Sequence, residues 1–303
     1  MAQAQGPLTV APMRSWVSLA VLCLAVAALG AWVYYKPEAA SQTHALSQLT
    51  ARDVKRIRVE RAAAPQAATP APQAAVVIDL ERHDEGWRMT APFSARAEPF
   101  QVERLLSILG AHSSARFPAT DLGRYGLAEP AVKVMLDGES FGYGAVNTAT
   151  REQYVLTREG VYAIPLAQRN AVPRDADALI ARSLFAERES PVAFELPGFT
   201  AALQDGTWNF TPPGSASADE RNAWVGAWRQ ATAVRAARHD GRAPDATLKV
   251  KLADGRTLAI GILQREPELV LLRAAEGIQY YFFADTAKRL LVPPAGGGER
   301  VNR

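Results

Sequence analysis

The stretch Gly86-Trp87-Arg88-Met89-Thr90-Ala91-Pro92 returns downstream as Gly206-Thr207-Trp208-Asn209-Phe210-Thr211-Pro212-Pro213. Trp87 and Trp208, Thr90 and Thr211, Pro92 and Pro213, and Ala97 and Ala218 share one offset of 121 residues. Self-similarity at a fixed spacing signals a repeated structural unit. A helical stripe follows each copy. Val102, Leu105, Leu106 and Leu109 fall at i, i+3, i+4 and i+7, between Pro99 and Gly110. After a one-residue slip, Trp224, Ala227, Trp228 and Ala231 repeat that stripe, and Ser217-x-x-Glu220 supplies a capping box.

Both copies then turn to strands with the same punctuation. Val132–Leu136 leads through Asp137-Gly138 into Phe141–Val146, and Leu248–Leu252 through Asp254-Gly255 into Leu258–Leu263. Asp-Gly between β-rich runs marks a hairpin, because a type I′ turn needs positive φ at both central residues. On this reading Gly144 and Gly261 occupy equivalent positions. Two further strands close each copy: Gln153–Thr157 and Val161–Pro165, then Leu269–Arg273 and Gln279–Ala284. Val54–Glu60 and Val192–Leu196 open them. The expected fold is α+β: an N-terminal transmembrane helix, then two tandem copies of an antiparallel sheet-plus-helix module. The copies run over residues 46–165 and 192–292, joined by 166–191 with a helix at Asp175–Phe185. An Ala/Pro/Gln-rich loop (61–75) and a glycine-rich tail (293–303) cannot support a core.

Trp16–Tyr35 is a run of twenty uncharged residues, flanked by Arg14 and Lys36 and rimmed by Trp16, Trp32, Tyr34 and Tyr35. At 1.5 Å per residue it matches a bilayer core of about 30 Å, and the aromatics suit the interfaces. The expected organisation is a cytoplasmic tail (1–15), an anchor (16–35) and a C-terminal body in the periplasm of a bacterial inner membrane. The apolar run continues past Ala28-Leu29-Gly30, which favours an uncleaved anchor over a signal peptide.

The chain has 303 residues, 48% of them hydrophobic, and a net charge of +3. Beyond residue 40 it holds 32 basic and 30 acidic residues. That balance excludes a basic footprint for nucleic acid. With Cys23 as its one cysteine, the chain can form neither an internal disulfide framework nor a thiolate metal site.

Together, Trp87-x-x-Thr90-x-Pro92, the helix Val102–Leu109, Arg116-Phe117, Tyr125-Gly126-Leu127-x-x-Pro130, Asp137-Gly138, Gly144 and Tyr154-Val155 resemble the bacterial domain-of-unknown-function family 4340. The resemblance covers roughly residues 46–290. It implies a single-pass protein with an extracytoplasmic domain, similar in some members to accessory partners of gliding-type ABC transporter components. The family brings no catalytic residues.

Gly138-Glu139-Ser140-Phe141-Gly142 matches the G-x-S-x-G pattern. A nucleophile elbow, however, needs a strand-to-helix turn, and this motif sits at a strand-to-strand hairpin. Its duplicate, Gly255-Arg256-Thr257-Leu258-Ala259, lacks the serine. His83-Asp84-Glu85 and His239-Asp240-Gly241 read as solvated turns, since a metal wants three or more convergent ligands. Gly142-Tyr143-Gly144 lacks the third glycine of a dinucleotide fingerprint. No catalytic, cofactor-binding or metal residues are assigned, and no cofactor. Trp208, Trp224, Trp228, Tyr280, Tyr281, Phe282 and Phe283 concentrate in the second copy, and alternation along Gln279–Phe283 must place aromatics on both strand faces. Core packing explains most of them, and an apolar outer face would suit a protein partner. Arg182, Arg188, Arg229, Arg235, Arg238 and Arg242 read as a solvated face. The expectation is a non-enzymatic, membrane-anchored module that docks on another envelope protein. The alternatives are a hydrolase using Ser140 and a glycan or small-ligand module using the cleft between the copies.

Overall fold

The computed structural model describes residues 21–27, 43–63, 75–166 and 171–294. The chain divides into two compact units, Met1–Thr43 and His44–Arg303. In the first, residues 21–27 are helical and exposed. Among the described residues no helix is long and apolar enough to cross a membrane. The remainder of the expected span 16–35 lies outside the described residues, as do most of the loop 61–75 and of the tail 293–303.

The second unit begins with β1 (His44–Ala45) and continues through β2 (Arg56–Arg61), β3 (Val76–His83), β4 (Gly86–Ala91) and β5 (Ala95–Arg96) to helix α1 (Pro99–Leu106). Next come β6 (His112–Ser113), β7 (Arg116–Phe117), β8 (Val132–Leu136), β9 (Glu139–Asn147), β10 (Glu152–Leu156) and β11 (Val161–Pro165). The second half holds β12 (Pro191–Leu196), β13 (Phe199–Gln204), β14 (Thr207–Thr211), α2 (Ala218–Arg229) and β15 (Arg235–Arg238). It closes with β16 (Ala246–Leu252), β17 (Thr257–Gln264), β18 (Leu269–Arg273), β19 (Ile278–Phe282) and α3 (Ala284–Leu291).

Among the described residues β1 and β6 form a two-stranded antiparallel sheet of their own, and the other strands form two large antiparallel sheets, in the orders β5-β4-β3-β2-β8-β9-β10-β11-β7 and β14-β13-β12-β16-β17-β18-β19-β15. Apart from β5 the orders are the same, strand for strand. Helices α1 and α2 each turn an apolar stripe into the core. α1 buries Val102, Leu105 and Leu106. α2 starts on the Ser217–Glu220 capping box and buries Trp224, Val225 and Trp228. Trp208, Trp224 and Trp228 pack around Phe194 with ring centroids 5.1–5.9 Å apart. The second-copy tryptophans, with Tyr280 and Phe282, are therefore core. On the outer face of β19, Tyr281 lies under the guanidinium of Arg235, 3.1 Å from the ring centroid. Phe283 alone of the group stands out in solvent, 69% exposed. One apolar core runs through both sheets, from Leu80 and Met89 through Ile180 and Leu184 to Phe194 and Trp228.

Strand pairing corrects two details of the repeat. In β3–β4, Asp79 pairs with Ala91 but Leu80 with Met89, so Thr90 is an extra, bulged residue. The β13–β14 ladder is regular from Thr200–Thr211 to Gln204–Thr207. The offset of 121 therefore drops to 120 beyond the bulge, and the residue equivalent to Pro92 is Pro212 rather than Pro213. Likewise Gly261 corresponds to Gly142, not Gly144. Gly142 lies beside Pro130 and opposite Leu156, and Gly261 beside Pro244 and opposite Leu272. The place of Gly144 is taken in the second copy by Leu263. There the first copy lays Tyr125 and Leu127 over its sheet, in a cluster with Val161, whereas the second fills the space with Leu263, Val270 and Leu272.

The joining segment departs most from expectation. Asp175–Phe185 is not a helix: one 3-10 turn, Asp177–Leu179, leads into extended chain. Backbone bonds to both sheets outcompete an internal ladder. Ala181 N–H donates to Arg96 O and Glu98 N–H to Leu179 O on one side. On the other, Leu184 N–H donates to Ala231 O and Ala233 N–H to Arg182 O. The segment is a strap hydrogen-bonded to each repeat.

Candidate functional site

Along this strap the two repeats share a polar seam. Arg96, the last residue of β5, donates from Nε to Glu276 Oε1 at 2.9 Å. Its Nη2 donates to the Tyr280 hydroxyl at 2.9 Å and to the carbonyls of Ser183 and Leu184 at 2.9 and 3.3 Å. Arg273, at the end of β18, forms a fork with Glu189 at 2.6 and 2.9 Å and reaches Glu276 at 3.2 Å and Leu184 O at 2.8 Å. The side chains of Arg273 and Glu189 are 6% and 5% exposed. Charges taken this far from water hold only with full pairing, and here each carboxylate and guanidinium has several partners.

The titration directions follow. Burial would lower the Arg96 pKa, but Tyr280 and Glu276 more than offset it and the group is held above its ordinary value. Burial would raise Glu189, yet Arg273 and the Ala186 amide hold its carboxyl below the usual range. Tyr280 is pushed upward by burial.

An arginine–glutamate–tyrosine corner occurs in both repeats. In the first, Tyr162 donates to Glu159 at 3.4 Å and Arg116 bonds the Glu159 carbonyl. In the second, Tyr280 donates to Glu276 at 3.0 Å, but the arginine comes from the other repeat. Arg116 serves its own module; Arg96 ties two modules together.

A groove opens beside the seam. Three adjoining cavities of about 400, 570 and 450 Å³ share Glu85, Gly86, Arg96 and Ala186. One wall is the β3–β4 turn and the start of β4, and the other is the strap at Ala186–Glu189. The turn His83-Asp84-Glu85 thus lines this groove, although among the described residues no three His, Cys, Asp or Glu groups converge on a metal position. Trp87 and Arg88 border it from β4, and Arg188, expected on a solvated face, faces it from the strap. Sequence reading missed Arg96, Arg273, Glu189 and Glu276, because nothing local links residues 180 positions apart.

The remaining candidates lie elsewhere. Ser140 is inside β9, paired with Met135, directly after the two-residue Asp137-Gly138 turn that closes Leu136 onto Glu139. Its hairpin is not a strand-to-helix elbow, and among the described residues no histidine is hydrogen-bonded to it. Glu139 beside it accepts from Ser47 at 2.6 Å. His239 meets Gln279 at 3.3 Å and Asp240 at 3.7 Å in a surface loop.

Comparison with curated proteins and with solved structures finds no match. A family model described as a domain of unknown function (DUF4340) matches residues 87–221. That range is narrower than the 46–290 over which the resemblance extends. It runs from β4 to the start of α2 and takes in the strap and the Arg96 side of the seam. Through residues 87–221 the chain is similar to the DUF4340 family.

Proposed function

We propose that the chain is a non-enzymatic accessory module that docks on a partner protein of the bacterial envelope through the groove at its inter-repeat seam. On this reading residues 16–35 anchor it in the inner membrane and the repeats lie in the periplasm. The family resemblance makes an ABC transporter-associated complex the first candidate. The observation that carries the proposal is the run of three adjoining cavities along one polar seam, all bordered by Glu85, Gly86, Arg96 and Ala186. Junctions between packed modules are where proteins commonly place binding sites. Under this groove a continuous apolar core and buried ion pairs join the two repeats.

The test is site-specific photocrosslinking in membranes. A photoreactive residue at Ala186, in the groove, is compared with one at Lys251, an exposed position of β16, with residues 1–45 alone as the anchor control. Docking through the groove predicts a stoichiometric adduct with one envelope protein from position 186, none from 251, and none with the anchor alone. Equal adducts from both positions, or none from 186, would defeat the reading.

A further inference from the structure

We infer that the groove recognises an acidic, extended peptide segment of its partner, with Arg88 and Arg188 as the side chains that receive its carboxylates; this rests on the docking reading above. Both arginines line the same cavity of about 400 Å³, one from each wall, above Arg96. Arg88 and Arg96 are direct cross-strand partners in the β4–β5 ladder. Like charges so placed repel. For Arg96 the repulsion is offset by Glu276 at 2.9 Å. Arg88 has only a 3.5 Å contact to the Ser94 hydroxyl, and among the described residues Arg188 has no side-chain hydrogen bond or ion pair.

Two carboxylates border the cavity, Asp84 and Glu85. Neither lies within ion-pairing distance of Arg88 or Arg188, and both sit in an exposed turn. Glu85 is also within electrostatic reach of Arg256, whose pKa is held up first by Asp254 and, more weakly, by Glu85. Two guanidinium forks, one on each wall, are thus left for an incoming anion. Such forks take carboxylates in bidentate geometry, in contacts stronger than neutral hydrogen bonds. The groove's extent favours a chain over a lone anion, because two further cavities continue past Gly86 and Ala186. Neither residue has a long side chain to block a passing backbone.

The experiment uses the full-length protein in nanodiscs and fluorescence anisotropy of labelled twelve-residue peptides. One peptide has glutamate at alternate positions in a serine/alanine background, and the other has lysine at those positions. Expected are saturable binding of the glutamate peptide that weakens with salt, no binding of the lysine peptide, and at least a tenfold loss in the Arg88→Gln/Arg188→Gln double variant. Both side chains lack a close partner, so the variant should melt like the parent, which circular dichroism checks. Equal binding of the lysine peptide, or unchanged affinity in the double variant, would overturn the inference. So would full displacement of the glutamate peptide by inorganic phosphate at an equal concentration, which would mark a small-anion site. If the glutamate peptide fails while the position 186 crosslink persists, the ligand class is wrong and docking stands. If both fail, docking itself is wrong.

Discussion

Arg96 and Arg273, one from each repeat, donate to the same backbone carbonyl, that of Leu184 in the strap, at 3.3 and 2.8 Å. A single oxygen is therefore where both modules and the segment between them meet. Arg96 is the member without a redundant partner in its own repeat, since its charge is matched by Glu276 across the seam. Arg96→Ala should lower unfolding stability by about 3 kcal/mol, the scale expected when one member of a buried, hydrogen-bonded ion pair is removed. Arg96→Lys should recover only part of it, because an ammonium cannot reproduce the fork. Urea denaturation of the parent and both variants tests this, and an Arg96→Ala midpoint equal to the parent's would show that the seam is held by the apolar core alone.

The seam should also be the acid-sensitive part of the fold. Glu189 is held below its ordinary value of 4.5. A carboxyl with a depressed folded-state pKa contributes stability that is present above that ordinary value and lost as pH falls through the lower folded value. Parent stability should thus drop as pH is taken below about 4.5. Glu189→Gln should cost about 2 kcal/mol at neutral pH, somewhat under the usual penalty for breaking a buried pair, because Arg273 keeps Glu276 at 3.2 Å. The gap between parent and variant should close with acidification. Melting curves from pH 7 to pH 3 measure it, and a gap that stays constant would remove Glu189 as the titrating group.

Helix α3 is fastened by two indole N–H groups. Trp224 Nε1 donates to Val292 O at 2.9 Å and Trp228 Nε1 to Leu290 O at 3.0 Å. Trp228→Phe leaves the Leu290 carbonyl without its buried donor and should cost about 2–3 kcal/mol, the desolvation penalty plus lost volume. The effect should be local as well as global. Hydrogen exchange within Ala284–Leu291 should accelerate more than in the β12–β16 ladder, and uniform acceleration would show that the indole bond does not fasten α3.

Much of this architecture was legible in the sequence because local chemistry dictates it. Asp137-Gly138 has positive φ at both residues, as its hairpin requires. Ser217 and Glu220 form the capping box that their spacing implies. The Trp87 and Trp208 segments are the fourth and fourteenth strands at corresponding sheet positions. Features that depend on distant chain were not legible. Nothing in Asp175–Phe185 reveals that Ala97, Ala231 and Ala233 will claim its backbone and keep it extended. Arg188 looked like one more surface charge until the strap set it opposite Arg88. The register of the duplication was blurred by one bulged residue, Thr90, and by a longer hairpin at Asp254-Gly255, neither of which leaves a mark in composition.

The two copies solve the covering of the outer sheet face differently, and that yields an order of tolerance at three glycines. A methyl at Gly144 would clash with the Tyr125 carbonyl oxygen and lie 2.7 Å from Leu127 Cγ. The first obstacle is backbone and cannot rotate away, so the Tyr125–Leu127 segment would have to lift. At Gly261 and Gly142 the obstacles are ring carbons of Pro244 and Pro130, at 2.9 and 3.0 Å. A small shift of either loop relieves them. Gly144→Ala should therefore be the most damaging of the three, at about 3 kcal/mol or more, with Gly261→Ala and Gly142→Ala at about 1–2 kcal/mol, within the range for overpacking. Lifting the segment would expose Tyr125 and Leu127, so Gly144→Ala should also increase dye binding to apolar surface. Thermal melts of the three variants check the order. If Gly144→Ala proved the mildest, Tyr-Gly-Leu packing would not be what requires a glycine at that position, and the contrast with Leu263 in the second copy would need another cause.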